Sequence, residues 1–294
     1  MRRRYLLTAL PAALLVAPAV RAAPFASDRF SVVVRGSGPD VILIPGLDCD
    51  RSVWDGLAAR LEGRFRLHLV WIKGFAGAPA EAAASGDVVA PFVESLARYI
   101  TAANLAKPAV IGHSLGGTAA LMLAARHPDL PGRVMVVDMV PFLAVFYAGP
   151  AATPASAAPL ADAMAARILS ATPEAYAQQG EKTVAAFTKT EAARPALLAA
   201  TLASDRGVTA RAMHELLVTD LTPELPRITA PTTVVYAWDK SLPYTADQAD
   251  GTYRQLYAGL KGVKLLRIDD SLHFVMIDQA ERFDTAVEDF LAGR

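Results

Sequence analysis

The apolar positions of this chain fall into short β-branched runs, separated by stretches where they recur every three or four residues. Val41 to Ile44, Arg66 to Ile72, Pro108 to Ile111, Val134 to Val137, Thr232 to Tyr236 and Val263 to Ile268 read as strands, because short, nearly continuous apolar runs suit strands covered on both faces. Between them, Arg51 to Leu61 sets Val53, Trp54, Leu57, Ala58 and Leu61 at helical spacing. Asp87 to Ala103 reads as a helix with Asp87 as its N-cap and Pro91 in its first turn. Ala280 to Leu291 gathers Phe283, Val287, Phe290 and Leu291 on one face of a closing helix. Strand and helix alternating in this way predict an α/β domain with a mostly parallel sheet.

Two segments depart from the rhythm. From Phe142 to Thr229 no strand pattern occurs, alanine is frequent, and helical patterns cover Leu160 to Ser170, Pro173 to Lys189, Ala192 to Leu202 and Thr209 to Val218. The Ala/Pro/Ser/Thr stretch from Pro150 to Pro159 reads as a hinge. A helical insertion between two sheet strands predicts a cap over the strands' C-terminal edge, where ligands bind in open α/β sheets. At the N-terminus, Arg2-Arg3-Arg4 precede an uncharged stretch from Tyr5 to Val20 and then small residues, the layout of a secretory signal over residues 1–22. Arg3-Arg4-Tyr5-Leu6-Leu7 also fits a twin-arginine export signal. The stretch is interrupted by Pro11 and Pro18 and is short for a span of roughly 20 residues. The expectation is therefore a periplasmic or secreted protein without a stable membrane anchor after cleavage. The expected organisation is a leader over 1–22, a first core part over 23–141, the cap over 142–229 and a second core part over 230–294.

Charge narrows the partners. The chain carries 29 basic and 29 acidic residues, but Arg2, Arg3, Arg4 and Arg21 lie in the leader. The remainder has 25 against 29, with no basic cluster of the kind that grips nucleic acid. Cys49 is the single cysteine, which excludes an intrachain disulfide and a cysteine-based metal site. No metal or other cofactor is expected.

The candidate chemistry centres on Val110-Ile111-Gly112-His113-Ser114-Leu115-Gly116-Gly117, a strand meeting G-x-S-x-G with a helical segment directly after it. Glycines on both sides of the serine permit a sharp strand-to-helix turn that holds the hydroxyl at a helix N-terminus. A serine nucleophile needs an oriented base, usually histidine. Of five histidines, His113 abuts the serine and should diverge from it, His127 ends the following helix, His68 lies within a strand and His214 within the cap. His273, in a loop between the last strand and the closing helix, remains as the base. For the carboxylate that orients it, Asp239 directly after the strand Thr232 to Tyr236 is the first candidate. Asp138, at the end of Val134 to Val137, is its rival. Backbone N–H groups of Leu115 and of Leu47, in the turn Pro45-Gly46-Leu47, can form the oxyanion hole. Cys49, in the same loop, reads as a small buried residue.

The order Ser114, Asp239, His273 resembles that of the α/β-hydrolase superfamily. The likeness extends over the oxyanion turn Ile44-Pro45-Gly46-Leu47, the loop Gly74-Phe75-Ala76-Gly77, the serine turn, the late-strand Asp and the terminal His-Phe. It implies a twisted, mostly parallel sheet flanked by helices, with a helical cap, and a carboxylic-ester hydrolase acting through an acyl-enzyme. Lactone or carbon–carbon bond hydrolysis by the same triad, or a non-catalytic binding role, are the alternatives. Two departures stand out. Pro45-Gly46 replaces the common His-Gly, and Ala237-Trp238-Asp239 is one residue shorter than the usual Gly-x-x-Asp, which keeps Asp138 open. The expected partner is a small-molecule ester, with Phe142, Phe146 and Tyr147 as pocket candidates.

Overall fold

The computed structural model describes residues 25–294, and the leader read over 1–22 lies outside them. The strands are β1 (Phe30–Arg35), β2 (Asp40–Ile44), β3 (Arg66–Ile72), β4 (Ala109–His113), β5 (Arg133–Val137), β6 (Thr232–Trp238) and β7 (Lys264–Asp269). The helices are α1 (Asp55–Leu61), α2 (Val89–Ala102), α3 (Leu115–Arg126), α4 (Val145–Ala148), α5 (Pro154–Ser170), α6 (Pro173–Phe187), α7 (Arg194–Ala203), α8 (Arg206–Val218), α9 (Ala246–Leu256), α10 (Val275–Asp278) and α11 (Ala280–Ala292). The strands form one sheet in the order β1-β3-β2-β4-β5-β6-β7, with β1 antiparallel to β3 and the other pairs parallel.

Alternation along each strand builds a three-layer sandwich. Ile42, Ile44, Val110, Val134, Val136 and Val234 pack in one apolar layer with α2, α3 and α9. Val41, Leu43, Ile111, Met135, Val137 and Val235 turn the other way, into a layer with α1 and α11. Strand β1 was absent from the apolar pattern because it is an edge strand whose valines are only half buried. Strand β2 lies between β3 and β4, so the strand order reverses there and a crevice opens at the C-terminal edge. Ile44 pairs with Gly112 across this reversal, which sets the turn after β2 beside the turn after β4.

Helices α5 to α8 form the cap. Ala157 and Ala161 of α5 pack with Leu217 of α8 and Phe142; such small side chains let helices approach closely. One expectation changes. The stretch Pro150 to Pro159 is not a hinge throughout, because Thr153 and Ser156 make a capping box that starts α5 at Pro154. Toward the far end of the insertion Leu221, Leu225 and Ile228 pack in the main core, together with Val208, Ala212 and Leu216 of α8.

The cap is tied to the core by a buried carboxylate. Glu215 of α8 accepts from the N–H groups of Val88, Val89 and Ala90, each at 2.8 Å, satisfying the donors that open α2. This replaces the expected Asp87 cap; the residue before the helix is Val88, with no side-chain cap bond. Glu215→Ala should strand three donors and destabilise the protein by about 3 kcal/mol, read as a lower urea midpoint, with Glu215→Gln recovering part of the loss.

Candidate active site

Ser114 stands between β4 and α3 with φ +54° and ψ −121°, a backbone conformation rare outside glycine. Its N–H donates to the Val137 carbonyl at 2.9 Å, and its own carbonyl accepts from Gly117 and Thr118. The flanking glycines are sterically required. A Cβ at Gly112 would lie 2.0 Å from the Gly116 oxygen, and one at Gly116 would lie 2.3 Å from the Ile44 oxygen.

The turn Pro45-Gly46-Leu47, expected to supply an oxyanion donor, is close by, since a Cβ at Gly46 would come within 3.0 Å of the Ser114 Cβ. Leu115 opens α3, so its N–H is one of the helix's free donors. Among the described residues neither the Leu47 nor the Leu115 N–H has a backbone acceptor outside helix or strand. Cys49 is buried, and burial pushes its thiol well up, so it stays protonated.

His273 meets Asp138. Its Nδ1 lies 2.7 Å from Asp138 Oδ2, while Asp138 Oδ1 accepts from the Ala237 N–H at 2.9 Å and from the Tyr253 hydroxyl at 3.3 Å. Asp138 follows β5 with φ +49°, and this left-handed step carries its carboxylate across the end of β6. The expected partner, Asp239, is engaged elsewhere. It is buried, one oxygen accepting from the N–H and hydroxyl of Ser241 and the other bonded to the Lys189 ammonium of the cap. These partners, Lys189 first, hold Asp239 well below the usual carboxylate range. The physical reason lies in the shortened Ala237-Trp238-Asp239: β6 runs through Trp238, so Asp239 enters a tight turn with Ser241 at once.

The His113 side chain reaches the His273 backbone. Its Nε2 lies 2.9 Å from the His273 carbonyl, which only accepts, so that nitrogen carries the hydrogen. Burial, and next the neighbouring His273, hold His113 well below its ordinary pKa, so the ring is neutral. The two imidazole centroids are 4.6 Å apart. Serine turn and histidine loop are thus joined through adjacent residues. Among the described residues no hydrogen bond joins the Ser114 hydroxyl to the His273 ring; such bonds often tighten only with substrate.

The pocket residues divide. Phe142 is buried among Ala157, Ala161 and Leu217, so it supports the cap from within and does not line an open pocket. Phe146 and Tyr147 of α4 remain about half exposed. The histidine loop is instead reached by a cap segment the sequence did not single out. Phe187 accepts from the Phe274 N–H at 3.0 Å, and its ring lies 4.7 Å from that of His273. Asp278 binds the Leu272 N–H, the N–H groups of Lys189 and Thr190 and the hydroxyls of Thr188 and Thr190. Asp278 stands among other acids, Asp269, Asp270, Glu281 and Asp284, and its sequence context gave no signal for this role.

A family model for the alpha/beta hydrolase family matches residues 41–286, most of the chain. The chain belongs to the alpha/beta hydrolase family. Over 99 residues this alpha/beta hydrolase is 36% identical to a pimeloyl-[acyl-carrier protein] methyl ester esterase of Aeromonas salmonicida, a match covering 34% of this chain and 37% of that relative. Its fold resembles an enol-lactonase from Burkholderia xenovorans, with TM-score 0.72, 20% identity and coverage of 90% and 96% of the two chains. It also resembles an esterase from Exiguobacterium antarcticum, with TM-score 0.74, 18% identity and coverage of 90% and 95%.

One buried acid of the hydrolase yields a pH test. Asp48, next to Leu47, is 2.5 Å from the Thr209 hydroxyl of the cap. Burial pushes its carboxyl up to about 7, against the Thr209 and Ser204 hydroxyls, which favour the charged form. Between about pH 4 and 7 the folded protein therefore holds a proton that the unfolded chain has released, and stability falls as pH rises through that window. Asp48→Asn should remove a loss on the order of 4 kcal/mol. The check is thermal melts of both proteins at pH 4 to 8, with the variant gaining relative stability toward high pH.

Proposed function

We propose that this protein is an exported serine hydrolase of carboxylic esters. Ser114 attacks the carbonyl, His273 takes its proton and returns it to the leaving alcohol, and Asp138 fixes the imidazole tautomer. The Leu47 and Leu115 N–H groups stabilise the oxyanion, and water attacks the resulting acyl-enzyme by the reverse path. The observation that carries the reading is the 2.7 Å Asp138–His273 contact beside a serine in a left-handed turn. An Nδ1 hydrogen bound to carboxylate leaves Nε2 unprotonated and able to act as base. The likeness to a methyl ester esterase supports the choice of esters, and the basic, apolar, small-residue order of residues 1–22 supports export to the periplasm or beyond. Lactones, as cyclic esters, fall within the same chemistry, in keeping with the enol-lactonase likeness.

Ser114→Ala should abolish turnover of short p-nitrophenyl esters and labelling by a fluorophosphonate, with full activity in the variant overturning the reading. Between the two acids, Asp138→Asn should lower kcat by about 10³–10⁴, whereas Asp239→Asn should leave it within about tenfold, since that carboxylate answers to Lys189. The kcat values of the two variants, measured with one ester, decide the assignment; the opposite ranking would return the role to Asp239.

A further inference from the structure

Three aromatic rings lie within 6 Å of the His273 imidazole among the described residues: His113 at 4.6 Å, Phe187 at 4.7 Å and Phe274 at 5.7 Å. His113 and Phe274 are buried, at 1% and 6% exposure, but Phe187 is 37% exposed. Of the three, Phe187 alone is open to solvent. Its position is fixed by the segment that carries it. The Phe187 carbonyl accepts from Phe274, Thr188 and Thr190 hydroxyls donate to Asp278, the Lys189 ammonium meets Asp239, and Arg194 donates to the Thr188 carbonyl. Asp278 also holds the Leu272 N–H, directly before His273. Cap segment and histidine loop thus share one carboxylate, which fixes the backbone of Phe187 beside the histidine loop.

In ester hydrolysis the base that activates serine must next protonate the departing oxygen, so the alcohol half of the substrate leaves beside the imidazole. We propose that Phe187 is a specificity-determining residue for the alcohol half: it forms a fixed apolar wall at the leaving-group side and selects esters of bulky apolar alcohols over methyl esters. This rests on the esterase reading above and refines its substrate class. An immobile wall discriminates because contact with it is gained only by alcohols large and apolar enough to cover it. A half-open wall is worth less than a closed pocket, where one methylene brings 10-fold or more.

The test is kcat/KM for methyl, butyl and benzyl butyrate, whose alcohols have similar acidity and which share one acyl-enzyme, so that deacylation is common to all. Wild-type protein should prefer benzyl over methyl by about tenfold. Phe187→Ala should flatten the series to within about twofold, while leaving the ratios across p-nitrophenyl acetate, butyrate and octanoate unchanged. Phe187→Leu, which keeps an apolar side chain, should restore part of the preference. The Phe187 backbone bond to Phe274 survives in both variants, and a wild-type-like melting curve verifies the fold. A wild-type series without preference, or an alanine variant that lowers all three esters equally, would overturn the proposal and leave Phe187 as a support for His273. Failure of wild-type protein to hydrolyse any of these esters would instead overturn the esterase reading and this inference with it.

Discussion

The close approach of three backbone segments at the strand reversal governs the rest of this structure. Strand β4, helix α3 and the turn after β2 meet at a spacing that admits no side chain at Gly112 or Gly116. This contact turns the chain so sharply that Ser114 adopts a left-handed backbone, a strain of order 1–3 kcal/mol held in place by the hydrogen bond to Val137 and by the buried length of α3. The same compression brings the free N–H of Leu115 and the Pro45-Gly46-Leu47 turn to one point. Parallel pairing of β4, β5, β6 and β7 then fixes which loops surround it.

Much of this could be read from the residue pattern, for definable reasons. Strands covered on both faces are apolar without interruption, so the central ones were apparent, and a serine between required glycines is a local signal. His273 followed from its place between β7 and the closing helices, because position along the chain sets position along the sheet edge. The carboxylate that contacts His273 was harder to read. Asp138 and Asp239 both end strands at the same edge, and the difference lies in one positive φ at Asp138 and one missing residue before Asp239. Neither expresses itself as periodicity. The shortened Ala237-Trp238-Asp239 was the only local hint.

The cap was legible as helices and obscure as contacts. Its alanine-rich helices follow from spacing, but Glu215 on α2, Asp48 on Thr209 and Asp278 on the Phe187–Thr190 segment join residues more than 80 positions apart. Long-range pairs of buried polar groups leave no mark in a single sequence, because each partner alone looks like an ordinary polar residue. Phe142 shows the converse: an aromatic in the right segment turned inward, because the cap needed a core of its own.

The fastening of the cap has a consequence for how such a protein can change. Its attachments lie at the α7–α8 junction, where Ala203 to Asp205 bond to Gly74, Ala76 and Gly77, along α8 at Thr209, Arg211 and Glu215, and at Phe187 to Thr190, whereas α5 and most of α6 meet chiefly other cap helices. The latter half of the insertion is therefore part of the scaffold, and the former half is cargo mounted on it. Loop grafting or duplication that exchanged α5 and the first turns of α6 would reshape the roof while leaving the histidine loop anchored. Replacement of the whole insertion would remove the struts along with the roof, so diversification of this architecture has a preferred seam.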